Sequence, residues 1–320
     1  MTNNLPSTSI SLPPIRDYIA GQFSEPSQKL GVWLENPNTG EPIAEQQATD
    51  ADGIELALQT AWETHQSGEW GEMPIEERVE TLARLSAELD KRKERIAQLD
   101  ALNTGVTIRF TSMLNIIVTG AWHLANEQLK SGWTHTTMPG TNDNLMHIHR
   151  QPWGPALLLV AWNAPSTFMA HKGASSLAAG CPTILKPTEW APYGCDIFGE
   201  AAQAAGLPAG AFQIVHGGGE VGKRLVADRR VKAISFTGGV ENGRSIELQY
   251  ADALQNLMFS LDTAGNVVAS FLYGPFGEVV HATGSDDHRR QFNGKENDVV
   301  SGLRYYGYRY YDPLTLRWNS

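Results

Sequence analysis

The sequence predicts an α/β fold: a doubly wound, mostly parallel sheet, followed by a small tail rich in β-hairpins. Three observations predict it. Residues 154–189 read as a buried strand Ala156–Ala161, a polar elbow at Trp162–Asn163, an amphipathic helix from Ser166 to Ala179 and a second strand Pro182–Leu185, which is a βαβ unit. The alternation then continues to about Ile246, and strands alternating with helices of this length imply parallel pairing with right-handed crossovers. From about Glu247 the text changes to short period-two runs broken by turn residues, and seven of the nine tyrosines fall in Tyr250–Tyr311.

Taken in order, residues 1–13 are rich in Ser, Thr, Asn and Pro with little to bury and read as a disordered tail. Tyr18 to Gln47 holds short extended pieces, and ENPNTGEPIAE has the turn chemistry of a hairpin. A helix over Asp50–Gln66 has Thr49 or Asp50 as its N-cap and Ile54, Leu58, Ala61 and Trp62 on one face. A second runs from Pro74 to about Leu102, with Val79, Leu82, Leu85, Leu89, Ile96 and Leu99 in period, and stops at Gly105 in a left-handed cap. A third, Thr107–Lys130, is expected to bury Phe110, Leu114, Ile117, Ala121 and Leu124. A loop and a short strand Asn144–Arg150 lead into the βαβ unit. Beyond Glu189 come helix Tyr193–Ala205, strand Phe212–Val215, glycine loop His216–Gly219, helix Glu220–Ala227 and strand Lys232–Phe236.

The 320 residues suffice for two domains. With 25 Lys+Arg against 35 Asp+Glu, the net charge of −10 argues against a nucleic-acid partner. No segment approaches the ~20 apolar residues of a membrane span, and the first residues lack the layout of a signal peptide. Two cysteines, Cys181 and Cys195, make neither a disulfide framework nor a zinc site, and no metal site is read elsewhere. The expectation is a cytoplasmic protein. Both cysteines read as packing residues, one opening a buried strand and one inside a helix.

Three motifs carry chemistry. Gly217-Gly218-Gly219-Glu220-Val221-Gly222 follows a strand and opens a helix, so its amides could face a phosphate, or the glycines could serve close packing alone. Lys186 and Glu189, three residues apart at a strand end, could donate to and accept from a vicinal diol, or form an ordinary ion pair. A carboxylate there would repel a 2′-phosphate, which favours NAD over NADP. Asn163 is a candidate oxyanion donor, an interaction worth about 3 kcal/mol elsewhere, or a turn former.

Taken together the motifs resemble the NAD(P)-dependent aldehyde dehydrogenase family over about Pro14–Ile246. The resemblance rests on Ala161-Trp162-Asn163-Ala164-Pro165, Leu185-Lys186-Pro187-Thr188-Glu189, the loop Gly217–Gly222 and Ile234-Ser235-Phe236-Thr237-Gly238-Gly239, in the family's order. It implies that Trp162, Lys186 and Glu189 contact the adenosine of NAD, that Thr237, Gly238 and the loop from Gly217 to Gly222 lie near the diphosphate, and that Asn163 holds the oxyanion. Gly239 stands where the family has Ser. The family's E-L-G-G segment and its nucleophilic cysteine have no counterpart here, so an incomplete sheet and impaired turnover are expected, with an aldehyde as the substrate if the protein is active. A homo-oligomer is a further implication.

The tail resembles something else. Asp262–Ala269 with Tyr273–Val279 is similar to a YD repeat of Rhs proteins, and Phe292–Glu296, Ser301–Pro313 and Arg317–Trp318 to the Rhs-associated core. The expected organisation is a tail 1–13, an aldehyde-dehydrogenase-like region 14–246, a junction 247–256 and an Rhs-like β segment 257–320. Two alternatives stay open: an Rhs-type structural or toxin-shell module, with Rhs partners, that carries the first part as a passenger, and a non-functional fusion product.

Overall fold

The computed structural model describes residues 12–132, 134–139 and 145–249, and the strand segments within 259–319. The chain divides into two compact units, Met1–Gly238 and Gly239–Ser320. The expected tail up to residue 11, most of the junction, and the turn motifs at 262–266, 274–278, 292–295 and 301–303 lie outside the described residues.

The first unit is built on a six-stranded sheet of order β10-β7-β8-β9-β1-β2. Strands β7 (Ala156–Leu159), β8 (Thr183–Lys186), β9 (Phe212–Ile214) and β10 (Ala233–Phe236) are parallel. Strands β1 (Asp17–Ile19) and β2 (Gln22–Ser24) extend it antiparallel, where the sequence by itself shows only short extended pieces. Their turn places Ala20 at φ 50° and Gly21 at φ 75°, the left-handed pair a two-residue hairpin needs. The buried amide of Gln213 ties this edge to its surroundings, accepting from Ala20 N at 3.0 Å and donating to Ala57 O at 2.7 Å.

Strands β7 and β8 are buried at every position, as parallel strands covered on both faces should be. The βαβ unit thus forms as predicted, with α5 at Pro165–Ala178 between its strands. The hairpin β3 (Gln28–Glu35) to β4 (Pro42–Ala48) turns through Asn36–Glu41, also as read. Helix α1 (Ala51–Ser67) begins at Asp50, whose side chain accepts from Gly53 N.

Two helical expectations need correction. The long helix from Pro74 is two helices, α2 (Ile75–Lys91) and α3 (Lys93–Thr104), separated at Arg92. No Gly or Pro marks the break. The Arg92 guanidinium donates to Glu88 O at 2.8 Å and closes the end of α2. Gly105 does cap α3 at φ 72°.

Helix α4 (Ile108–Lys130) buries a different face from the one expected. Ala121 is buried as expected, with Val118, Trp122 and Leu129 inside beside it, whereas Phe110, Ile117 and Leu124 face out. The buried face also carries Thr111, Asn115 and Asn126, whose side chains donate to Ala97 O, Lys93 O and Val79 O. These bonds dock α4 on α2 and α3 and decide its rotation, since its sequence is apolar on nearly every side.

The short strand before the βαβ unit forms as β6 (Leu145–His149), and it pairs antiparallel with β5 (His135–Pro139), a strand the sequence reading does not give. Helices α6 (Cys195–Ala205) and α7 (Gly219–Ala227) complete the first unit. In the second unit, helix α8 (Val240–Gln249) precedes two antiparallel sheets: β11 (Phe259–Leu261), β12 (Val267–Tyr273) and β13 (Val279–Gly284), then β14 (Glu296–Asn297), β15 (Arg304–Tyr305), β16 (Tyr310–Asp312) and β17 (Arg317–Asn319). Among the described residues no helix is long and apolar enough to cross a membrane.

Candidate functional site

The register of the parallel strands aligns their carboxyl ends: Leu159 pairs with Lys186 and with Phe236, and Leu185 with Ile214. The chain steps outward from β7 to β8 to β9 and then returns to the other side of β7 as β10. The β7/β10 boundary is therefore the topological switch point, where open α/β sheets bind ligands beyond the strand ends. All the sequence-predicted residues leave this one edge. Trp162 and Asn163 follow β7, Lys186 and Glu189 end β8, Gly217 to Gly222 follow β9, and Thr237 and Gly238 follow β10.

Two of these elements meet directly. Lys186 is 7% exposed, and its ammonium donates to Pro187 O at 3.0 Å and to Glu189 Oε2 at 3.4 Å. Burial pushes the Lys186 ammonium down from the usual lysine range, and the Glu189 carboxylate acts against that shift. The pair is thus no ordinary surface ion pair, because the cation is held inside. A Cβ built at Gly218 would stand 3.8 Å from Glu189 Oε1, and one at Gly222 3.9 Å from Lys186 Cδ and Cε. The glycine loop therefore lies against the Lys–Glu pair.

Gly217 needs to be glycine on two counts. Its φ is +147°, and a side chain there would run into Val221. Gly218 caps α7 without a side-chain hydrogen bond, so no capping side chain takes the first-turn amides of α7. At Gly219 the space within 4 Å is open. Thr237 N donates to Leu159 O at 3.0 Å and draws the end of β10 onto β7. Trp162 is 55% exposed, and Asn163 beside it is exposed with, among the described residues, no partner for its amide.

Three supporting groups escape sequence reasoning. Lys172 reaches up from α5 and donates to Leu159 O and to Ser235 O, both at 2.9 Å, so that it straddles the switch point. Burial lowers this ammonium to about 8. Asp100 of α3 accepts from Ser166 Oγ at 2.8 Å and from the Ser166 backbone, capping α5 from a distant helix. Burial raises its carboxyl to about 7 against those bonds. His216, just before the loop, is buried against Asp17, whose Oδ1 accepts from His216 N at 2.9 Å and lies 3.0 Å from His216 Nδ1. Only the apolar neighbours of Lys172, among them Phe168 and Met169, hint at an unusual lysine in the sequence.

Both cysteines are buried, and burial pushes both thiols up, Cys195 far up. Neither has the exposed, electropositive setting that favours a thiolate.

The profile of the aldehyde dehydrogenase family matches residues 23–269. The chain belongs to the aldehyde dehydrogenase family. It is 30% identical over 257 residues to phenylacetaldehyde dehydrogenase of Pseudomonas fluorescens, covering 77% of this chain and 50% of that protein. A point mutant of betaine aldehyde dehydrogenase from Staphylococcus aureus, in complex with NAD+, superposes with a TM-score of 0.70 at 26% identity, over 77% of this chain and 50% of that one. A mutant of aldehyde dehydrogenase C from Pseudomonas syringae, complexed with NAD+ and octanal, gives a TM-score of 0.69 at 28% identity, over 75% and 49%. The chain spans about half the length of the relatives it matches.

Proposed function

We propose that the first unit is the coenzyme-binding half of an NAD-dependent aldehyde dehydrogenase. The observation that carries this reading is the contact of the glycine loop with the buried Lys186–Glu189 pair at the switch point. Lys186 and Glu189 would hold the ribose diol, Trp162 would flank the adenosine, and the loop from Gly217 to Gly222 with Thr237 and Gly238 would take the diphosphate. The donor set fits the group: a cation, a carboxylate and amides that no side chain caps, opposite a diol and an anion. Bound NAD would supply a hydride acceptor. Asn163, exposed at the elbow, would offer its amide to a developing oxyanion.

Glu189 favours NAD over NADP by like-charge repulsion of a 2′-phosphate. Titration by quenching of intrinsic fluorescence tests this. Glu189→Gln should narrow the preference for NAD over NADP by about tenfold or more; an unchanged ratio would remove Glu189 from the site.

Turnover is a separate matter. With both thiols buried and pushed up, neither cysteine offers a thiolate nucleophile, and no aldehyde-dependent formation of NADH is expected from the chain. Such formation, abolished by Cys181→Ala or Cys195→Ala, would overturn that expectation. For residues 257–320 we infer an Rhs-type β segment after a junction at 247–256. The tail motifs and the two antiparallel sheets support it, although the family match also takes in residues 257–269.

A further inference from the structure

The β5–β6 hairpin gathers three of the chain's nine histidines on one exposed face. His147 and His149 are two residues apart on β6, so their side chains leave the same side of the ribbon. His135 on β5 stands directly opposite His149 in the register, and Thr137 opposite His147. Nδ1 of His135 lies 3.1 Å from Nδ1 of His149. The ring of His135 is centred 4.3 Å from that of His149 and 5.5 Å from that of His147. The hydroxyl of Thr137 lies 3.0 Å from His147 Nδ1 and 3.4 Å from His135 Nε2.

All three rings are exposed, so none of them is there to fill a core. Imidazoles this close repel one another once more than one is protonated, and a neutral cluster presents several unshared nitrogen lone pairs on one surface.

We propose that this face binds one divalent transition-metal ion of the zinc type through His135, His147 and His149, with water in the fourth position. Two imidazole nitrogens about 2.0–2.1 Å from a tetrahedral ion stand about 3.3–3.4 Å apart, close to the observed separation of His135 and His149. Among the described residues no group of three or more His, Cys, Asp or Glu side chains is already placed to hold a metal ion, so the site forms only when a ring moves. His147 is turned onto Thr137 and joins by a side-chain rotation that its exposure permits. Imidazole donors select zinc, copper or nickel over magnesium and calcium. The site uses no residue of the proposed coenzyme site, so the two readings stand or fall separately.

The test is a titration of the full chain, free of added histidines, with Zn2+ in competition with a chromogenic chelator at neutral pH. One Zn2+ per chain is expected. His135→Ala and His149→Ala should each weaken binding at least tenfold, and the pair His147→Ala with His149→Ala should abolish saturation. His123→Ala, an exposed histidine on α4, should change nothing, and excess Mg2+ should not compete. Because the three residues are exposed, far-UV circular dichroism of the variants should match the parent. A stoichiometry well below one, one ion per two chains, an unchanged affinity in His149→Ala, or an equal loss in His123→Ala would each overturn the proposal.

Discussion

Asp100 is 3% exposed and carries a carboxyl raised to about 7, while Ser166 at the start of α5 depends on it as a cap. A raised carboxyl means that the folded state binds the proton more tightly than the unfolded chain. Its contribution is therefore fully present below the ordinary aspartate range near 3.8 and is lost as pH rises through about 7. Stability should fall by a few kcal/mol between about pH 4 and pH 7 on this account and then level off. Asp100→Asn keeps an acceptor for Ser166 without a charge. It should flatten the profile and be the more stable protein at pH 8, as read by urea unfolding across that range; a parallel profile would contradict it. Gly217→Ala should lower NAD affinity at least tenfold and stability by about 1–3 kcal/mol, because it strains φ and meets Val221. At this scale the sequence shows the motif residues but not their supports. Lys172 meets carbonyls 13 and 63 residues away, and Asp100 meets a serine 66 residues away, so no local pattern connects them.

Strands and helices were legible where one pattern dominated. The βαβ unit shows two four-residue strands with apolar centres and a clear elbow, and the β3–β4 turn carries Asn36, Pro37 and Gly40. The pattern misled where it was redundant. The apolar period runs unbroken through Arg92, and α4 is apolar on several sides, so polar donors to neighbouring carbonyls chose its buried face. The two α4 faces make opposite predictions. Trp122→Ala should cost about 3–5 kcal/mol, whereas Leu124→Ala should stay within about 0.5 kcal/mol. Thermal unfolding of the two variants checks this, and similar losses would contradict the observed rotation. In the β1–β2 turn, Ala20→Gly should stabilise the protein by about 0.5–1 kcal/mol by relieving the left-handed alanine.

At the scale of the molecule, the chain corresponds to about half of each relative it matches, and α4 exposes a broad apolar face with Ile116 at 74% and Leu124 at 68% exposure. A face of this kind promotes self-association in water. Ile116→Lys with Leu124→Glu should raise solubility without lowering the unfolding midpoint, as measured by light scattering and calorimetry. The fold class, the parallel sheet and the family could be read from the sequence, because four motifs fall at the ends of neighbouring strands. What could not be read is how the strand ends are held together across the switch point, which depends on Lys172 and Thr237. The central claim is that these ends form a working NAD site within this chain. Calorimetric titration of NAD into the full chain tests it most directly. Saturable binding of one NAD per chain, weakened at least tenfold in a folded Lys186→Ala variant, is the predicted result; no saturable heat, or equal affinity in that variant, would contradict it.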